Sequence, residues 1–430
     1  MRILLLAIAG FLTACSPVSK RQLSRTIQET EKSFQDHMGF VLYDPAKRKT
    51  VFAYNSDKYF IPASNTKIVT FYTSLVLLKD SIPGIIYGRL GDSLIIRGTG
   101  DPSLLYDQVN GSNRVFNFLK EQSGQLYFVS DNFQTTALGP GWAWDDYNYA
   151  YSAERSALPV YGNTFRVQST PDQVLSVSPR YFRNQLSIGD SLNRSSIVRE
   201  LNSNRTAYYP GQKALGSRTW RVPFRTDNGS VGNLLADTLG RSVYTINAFP
   251  AGVQKQVLCS VPADSLYKVM MQDSDNLIAE QLLLICAGLL SDTLQPEIAI
   301  RYMQANQLRD LPDPLVWVDG SGLSRYNLFT PRSIVRLWEK IDGMVERDRL
   351  FALLATGGKS GTLQNFYTNN KPYIYGKTGT LSNVHTLSGF LLTKKGETLI
   401  FSLMSNNFTV PVRELRAHME TVLKQIHENY

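Results

Sequence analysis

The chain is poor in the residues that bind metals, with only three cysteines and four histidines among 430 residues. Their spacing matches no metal-ligand pattern, so no metal site is expected and no cofactor is implied. The basic residues exceed the acidic ones by nine, but they are scattered singly and form no run of five or six. Because a nucleic-acid site usually concentrates its positive charge, we expect no nucleic-acid partner.

The N-terminal apolar run, residues 3–12, is too short to cross a bilayer, which takes about 20 apolar residues. It follows a single arginine and is typical of an export signal. The sequence LTAC that ends at Cys15 resembles the lipidation box of bacterial lipoproteins, in which the cysteine becomes the first mature residue. We therefore expect a lipoprotein signal over 1–14, lipid on Cys15 and a polar tether over 15–33. A plain secretory signal is the alternative.

The other two cysteines, Cys259 and Cys286, leave one question open. An exported pair can form a disulfide, but the sequence does not show whether their Cα atoms come within reach. Cys286 lies in the apolar helical stretch AEQLLLICAGLL, which favours a buried free thiol.

Helical and strand patterns are distributed unevenly along the chain. Short alternating runs between turn residues dominate 83–257, whereas helical periodicity and three C-terminal strands dominate 258–430. Before the alternating region, 34–82 holds a predicted hairpin and a fully apolar helix. These patterns predict an α/β (α+β) fold in which one catalytic domain, made of 34–82 and 258–430, is interrupted by a β-rich insertion of one or two small domains.

The sequence PASNTK places Ser64 three residues before Lys67 at the start of the apolar helix. Side chains at this spacing share one helix face. A serine hydroxyl becomes a nucleophile when a neighbouring base takes its proton, and a desolvated lysine can be that base. Taken alone the pair is weak evidence, because serine is also a preferred helix N-cap.

Two further motifs follow in order. Ser274-Asp275-Asn276 stands where a helical pattern resumes, and Lys377-Thr378-Gly379 stands on a predicted strand. The series S-x-x-K, S-x-N, K-T-G resembles that of class A β-lactamases and penicillin-binding proteins. The ordered series, with each motif in its expected structural context, indicates acyl transfer through serine.

This chemistry gives the motif residues their predicted roles. Ser64 attacks a peptide carbonyl with Lys67 as base, and the backbone N–H groups of Ser64 and Thr380 stabilise the oxyanion. Ser274 passes a proton to the leaving amine and Asn276 holds the substrate amide. The carboxylate-binding pair is expected to be Lys377 and Thr378. We expect Gly379 to let the strand lie close to the substrate backbone.

Longer phrases narrow the resemblance to one family. They are RGTGDPSLL (97–105), GWAWDDYNYAYSAERSAL (141–158), SDNLIAEQLL (274–283), VDGSGLSRYNLFTPR (318–332) and GKTGTLSNVHTLSGF (376–390). They resemble type-4 (class C) low-molecular-mass penicillin-binding proteins, the D-alanyl-D-alanine carboxypeptidase/endopeptidases of peptidase family S13.

The family resemblance implies a penicillin-binding/β-lactamase-like catalytic domain, in which an antiparallel sheet is flanked by helices. It implies action on peptidoglycan stem peptides in the periplasm, with β-lactams as covalent inhibitors. It also associates Asp146 with the diamino acid of the stem peptide. Ser382 stands where some relatives have glutamine, so the side-chain preference stays open.

Two alternatives remain. A β-lactamase needs a deacylating glutamate, usually in E-x-x-L-N, and no such phrase lies between Asn276 and Lys377. A catalytically weak sensor that is merely acylated by β-lactams fits the same motifs, and turnover of D-Ala-D-Ala peptides separates the two. Asp319-Gly320-Ser321-Gly322 is predicted to be a tight turn that supports the site.

Overall fold

The computed structural model describes residues 20–111, 113–172, 174–211 and 216–430. The helices in these ranges are α1 (Lys20–Phe34), α2 (Thr66–Leu77), α3 (Arg114–Glu121), α4 (Asn228–Leu239), α5 (Ala263–Gln272), α6 (Asn276–Ser291), α7 (Pro296–Asn306), α8 (Pro331–Asp342), α9 (Arg347–Leu353) and α10 (Val412–Asn429). The strands are β1 (His37–Asp44), β2 (Lys49–Tyr54), β3 (Ser81–Leu90), β4 (Ser93–Gly98), β5 (Leu126–Val129), β6 (Thr164–Ser169), β7 (Leu175–Ser178), β8 (Leu186–Ile188), β9 (Ser196–Arg199), β10 (Thr206–Tyr209), β11 (Arg218–Pro223), β12 (Val243–Thr245), β13 (Gln256–Pro262), β14 (Ala355–Thr356), β15 (Ile374–Leu381), β16 (Val384–Leu392) and β17 (Thr398–Asn406).

A six-stranded antiparallel sheet, ordered β14-β15-β16-β17-β1-β2, joins the two ends of the chain. Successive side chains of a strand point to opposite faces, so each strand contributes to two cores. In β17, Ile400 and Met404 pack with α2, α5, α6 and α8 on one face. Leu399, Phe401 and Leu403 pack with α1 and α10 on the other. The sheet is therefore buried between two layers of helices, as the predicted fold class requires.

The chain between α2 and α5 forms the β-rich part of the molecule. It leaves through β3 and returns through β13, and the two strands pair antiparallel in a five-stranded sheet ordered β12-β5-β4-β3-β13. Two three-stranded sheets, β11-β6-β7 and β8-β10-β9, complete this part. The predicted boundary between the insertion and the catalytic domain, at residue 257, falls inside β13, because the pairing of β13 with β3 extends to Pro262.

The predicted tether over 15–33 is wrong where the structure describes it. Residues 20–34 form α1, in which Leu23, Ile27 and Phe34 are buried in the same core as α10. These three residues recur at helical spacing among polar neighbours, so the polar composition concealed an amphipathic helix. Cys15 and the predicted signal 1–14 lie outside the described residues.

The helical pattern resumes at the second motif, as predicted, because two separate helices meet there. α5 ends at Gln272 and α6 begins at Asn276, and between them Ser274 has a positive φ of 65°. The break places the second motif in a tight corner between the two helices.

No helix in the described part of the chain is long and apolar enough to cross a membrane.

Candidate active site

Ser64 lies in a single 3-10 turn, Ala63–Asn65, that leads into α2. Ser64 is partly exposed, whereas its two neighbours are buried. Ala63 has a φ of 46°, a conformation that a non-glycine residue keeps only when its surroundings enforce it. The Ala63 carbonyl packs against Gly322, where an added Cβ would lie 1.8 Å from that oxygen. The turn therefore holds the Ser64 hydroxyl at a fixed position at the start of the helix.

Asn65 ties this turn to the sheet. Its Nδ2 donates to the Lys377 carbonyl at 2.9 Å, and its Oδ1 accepts from Ser388 Oγ at 2.6 Å. Ser388 in turn accepts from Trp338 Nε1 at 2.9 Å. The side chain between the two motif residues thus fixes α2 against β15 and β16, a role that the sequence analysis missed.

Lys67 is fully buried, and its Nζ has three partners. It lies 3.0 Å from Ser64 Oγ, 2.6 Å from Asn276 Oδ1 and 2.6 Å from the Ser321 carbonyl oxygen. Burial lowers the pKa of Lys67 to about 8, because the charged amine is desolvated. The nearby carboxylates, of which Asp319 acts most strongly, raise the pKa and only partly offset this effect.

The second motif meets the third motif across the cleft. Lys377 Nζ donates to Ser274 Oγ at 2.8 Å and to the Thr378 carbonyl at 2.7 Å. Burial, and then the charge of Lys67, hold the pKa of Lys377 well below its ordinary value. The structure therefore joins Ser64, Lys67, Ser274 and Lys377 to Asn276 in one cluster.

Asp275 and Asn276 have separate tasks. Asp275 caps α6 by accepting the Ile278 N–H at 2.8 Å. The amide of Asn276 is already engaged, since its Oδ1 accepts from Lys67 and its Nδ2 donates to the Tyr151 carbonyl at 2.8 Å. Asn276 nevertheless lines the cleft, where a substrate amide can reach it.

The predicted tight turn at Asp319 is confirmed. The buried Asp319 carboxylate accepts from the N–H groups of Gly322 at 2.9 Å and Ser324 at 2.7 Å. It also accepts from Trp142 Nε1 at 3.0 Å. This turn presents the Ser321 carbonyl to Lys67, a contact that the sequence motifs did not predict.

The structure gives Gly379 a second reason to lack a side chain, besides the predicted approach of the substrate backbone. A Cβ at this position would lie 2.7 Å from the Pro62 carbonyl oxygen and 2.8 Å from the Ser64 nitrogen. The close approach in the structure is thus between β15 and the nucleophile turn. It brings the backbone next to Thr380 close to the N–H of Ser64, as the predicted oxyanion hole requires.

Ser64, Ser274 and Asn276 open onto a cleft of about 910 Å³. Asp146 lines this cleft and accepts a hydrogen bond from Tyr151 Oη at 2.7 Å. The other residues that line it are Gly141, Ala143, Asp145, Tyr151, Gly322, Leu323, Arg325, Thr380, Leu381, Ser382, Asn383, Phe408, Val410 and Val412. The cleft therefore carries two carboxylates and one guanidinium together with Ser64.

Thr378 and Thr380 differ in their surroundings. The Thr378 hydroxyl bonds to Thr362 Oγ1 at 2.7 Å and does not line the cleft. Thr380 does line it, and its hydroxyl accepts from Arg416 Nη2 at 3.2 Å. Its oxygen also lies 2.9 Å from Nδ1 of the buried His385. Arg416 and His385 therefore lie next to Thr380, although the motifs did not indicate either residue.

Neither of the remaining cysteines lines the cleft. Cys286 is a buried free thiol, as predicted, and Cys259 is also free. In the described ranges, no group of three or more His, Cys, Asp or Glu residues is arranged to hold a metal ion.

Comparison with known proteins decides the family. The model of the D-Ala-D-Ala carboxypeptidase 3 (S13) family matches residues 19–426. The chain belongs to this family. It is 22% identical to the D-alanyl-D-alanine carboxypeptidase DacB of Haemophilus influenzae, over 94% of this chain and 91% of the relative. It is 27% identical to the D-alanyl-D-alanine carboxypeptidase of Actinomadura sp., over 87% and 78% of the two chains.

The crystal structure of penicillin binding protein 4 (dacB) from Haemophilus influenzae shares the fold. It superposes with a TM-score of 0.74 at 19% identity, covering 96% of this chain and 100% of that chain. A structure of the same protein complexed with a β-lactam gives a TM-score of 0.69 at 18% identity, covering 94% and 98%. The predicted S13 family, fold class and enzyme class are confirmed.

Proposed function

We propose that this S13 D-Ala-D-Ala carboxypeptidase cleaves peptidoglycan stem peptides through an acyl-enzyme on Ser64. One observation carries the assignment. A fully buried lysine amine lies 3.0 Å from the Ser64 hydroxyl, on a cleft large enough for a peptide. Since the family acts on the cell wall, the protein works in the cell envelope.

The contacts of Lys67 support its role as the base. A neutral amine has two hydrogens and one lone pair, and two of its three partners are acceptors held by the fold. If Asn276 Oδ1 and the Ser321 carbonyl take the two hydrogens, the lone pair points at Ser64 Oγ. The lowered pKa of about 8 gives a useful neutral fraction at physiological pH.

The reaction proceeds in two steps. In the first, Lys67 takes the Ser64 proton and Oγ attacks the carbonyl carbon of the scissile bond, while the oxyanion accepts from the N–H groups of Ser64 and Thr380. The C–N bond breaks, and Ser274 donates a proton to the departing D-alanine amine. Ser274 is reprotonated through its hydrogen bond with Lys377. In the second step, water gives a proton back to Lys377 through Ser274 as its oxygen attacks the ester carbon. The C–O bond then breaks as Lys67 returns its proton to Ser64.

The third motif is placed to recognise the C-terminal end of the substrate. The Lys377 amine, which bonds to Ser274 in the unliganded site, is placed to pair with the C-terminal carboxylate, together with the hydroxyls of Thr378 and Thr380. Because Thr378 bonds to Thr362, its part in this contact requires a rotation of its side chain. Asp146 lies in the cleft and is assigned to the amine of the stem-peptide diamino acid.

The anchor at Cys15 belongs to this proposal. It rests on the residues LTAC after an apolar export signal, and it places the enzyme at a membrane of the periplasm. β-Lactams are expected to acylate Ser64, since they present a reactive carbonyl and a carboxylate to the same groups.

Turnover tests the proposal. Purified protein is incubated with pentapeptide stem peptides and with cross-linked muropeptides, and the products are identified by mass. Release of terminal D-alanine by the wild type but not by Ser64→Ala supports the carboxypeptidase, and cleaved cross-links add the endopeptidase activity. A stable penicillin adduct without any peptide turnover would instead establish the sensor, and rapid penicillin hydrolysis the β-lactamase.

A further inference from the structure

The position of α1 restricts how the protein can sit on a membrane. The lipid anchor in the proposed function, Cys15, precedes Lys20 by 20−15=5 residues, and α1 begins at Lys20. Five residues span at most about 18 Å when fully extended. Since α1 is packed into the core through Leu23 and Ile27, lipid on Cys15 holds the catalytic region itself close to the bilayer.

The chain path shows which end of the catalytic region this is. Two residues, 35–36, connect α1 to β1, and both elements pack in the same core. We infer from this short link that α1 folds back along the strand, with its start beside the end of β1. The turn after β1 and the turn before β17 meet there, because Lys47 Nζ bonds to Glu397 Oε1 at 2.9 Å. The end of α10 lies there as well, since the Lys394 N–H donates to the His427 carbonyl at 2.8 Å.

Exposed basic residues gather at this end. Lys47 and Lys394 already pair with carboxylates, the first with Asp44 and Glu397 and the second with Glu428. Five other exposed cations have no carboxylate within ion-pair distance in the described part of the chain. These residues, which we call the basic end, are Lys20, Arg21, Arg48, Lys49 and Lys395.

The cleft lies at the opposite end of the same sheet. Its lining includes Ser382 and Asn383 in the β15–β16 turn and Phe408 just after β17. Val384 pairs with Asn406, so this turn lies beside the end of β17, whereas the basic end lies beside its start at Thr398. β17 has nine residues, which separates the two ends by about 27 Å.

We propose that the basic end rests on an anionic phospholipid bilayer, so that the cleft faces away from the membrane toward the cell wall. Three features support this orientation. α1 starts at this end, the segment between Cys15 and α1 is short, and the cations of the basic end are free to bind lipid phosphates. The enzyme is then held in one orientation by its surface and does not swing on a tether. This inference rests on the anchor in the proposed function.

Energy transfer to the bilayer tests the orientation in the full-length lipidated protein. A donor dye is attached either to Ala46→Cys, in the turn after β1, or to Thr409→Cys, beside the cleft. Both positions are exposed, and the only other partly exposed cysteine in the described ranges is removed by Cys259→Ser. The protein is reconstituted into phosphatidylcholine vesicles that contain phosphatidylglycerol and an acceptor-labelled lipid.

We expect the transfer efficiency at position 46 to exceed that at position 409 by about twofold or more, because about 27 Å separates the two ends. A variant with Arg21→Glu, Lys49→Glu and Lys395→Glu should bring the ratio toward one. Equal transfer efficiencies at the two positions in the wild type would overturn the proposal. An unchanged ratio of the two efficiencies in the triple variant would also overturn it.

A matched control places the same three charge changes in the β-rich part of the molecule. The residues are Lys120, Arg183 and Arg194, which are exposed. This variant should keep the wild-type ratio of transfer efficiencies. A ratio that falls toward one would contradict a specific role of the basic end.

The mass of the purified protein, measured first, separates this inference from the proposed function. Absence of lipid would overturn both the anchor and the orientation. With lipid present, equal transfer at positions 46 and 409 would overturn the orientation alone. Penicillin labelling of Ser64 would stand in either case.

Discussion

The acylation rate should depend on pH in a way that the burial of Lys67 sets. Only the neutral amine can take the Ser64 proton, so the rate should rise with pH and level off above the pKa of Lys67, about 8. With that pKa, the neutral fraction is about 0.01 at pH 6 and about 0.9 at pH 9. Acylation should therefore accelerate by about 90-fold across this range.

The position of the plateau distinguishes a buried lysine from an ordinary one. Between pH 8.5 and pH 9.5 a pKa of about 8 allows the rate to rise only about 1.3-fold, whereas the ordinary value of 10.5 would give about ninefold. The second-order rate constant of acylation is measured with a fluorescent penicillin by stopped flow. Circular dichroism at each pH verifies that the protein stays folded.

Two variants complete this test. The carboxylate of Glu280 raises the pKa of Lys67, so Glu280→Gln should move the plateau to lower pH while its amide oxygen still accepts the Ser321 N–H. Lys67→Ala should lower acylation by about 10²–10⁴-fold. A rate that still climbs ninefold above pH 8.5, or normal acylation by folded Lys67→Ala, would refute Lys67 as the base.

Three further perturbations test other parts of the site. Asp146→Asn should lower kcat/KM about tenfold or more for stem peptides with a free side-chain amine but not for peptides that lack it, because a charge-assisted hydrogen bond is lost; equal losses on both peptides would contradict its assignment. Gly379→Ala should slow acylation by about 10²-fold, because its Cβ would lie 2.7 Å from the Pro62 carbonyl oxygen and displace Ser64. Acylation at the wild-type rate would show that β15 moves aside and leaves Ser64 in place. Cys15→Ser should leave active enzyme in the soluble fraction after cell fractionation in high salt, which screens attraction through the basic end; enzyme that still stays with the membranes would contradict the lipid anchor.

The cluster of motif residues was predictable because its members carry local signals. Ser64 and Lys67 share one helix face, and the motifs of Ser274 and Lys377 each occur in a recognisable structural context. The structure brings Ser64 within hydrogen-bond distance of Lys67, and Ser274 within hydrogen-bond distance of Lys377. Their order along the chain was therefore sufficient to predict that these residues meet, although not their geometry.

Contacts between distant segments could not be predicted in this way. Nothing near Ser321 in the sequence indicates that its carbonyl binds Lys67, which precedes it by 254 residues. The same holds for Asn65, which holds the nucleophile turn against β15. Gly379 was singled out correctly, but only the folded chain shows that its neighbour is the turn of Ser64.

The tether shows how composition can mislead. α1 is mostly polar, and only three large apolar residues, Leu23, Ile27 and Phe34, bind it to the core. Their helical spacing was present in the sequence, yet the surrounding lysines, glutamines and glutamates are equally typical of a linker. The packing partner α10 lies almost 400 residues away in the chain, as its bounds show.

The identity of the acylated residue tests the central claim most directly. The protein is treated with penicillin, digested with trypsin and mapped by mass. Cleavage after Lys58 and Lys67 releases residues 59–67, YFIPASNTK, in which Ser64 is the sole serine. We predict one adduct, on this peptide, and no adduct in Ser64→Ala. An adduct on another peptide, or one that persists in Ser64→Ala, would contradict it.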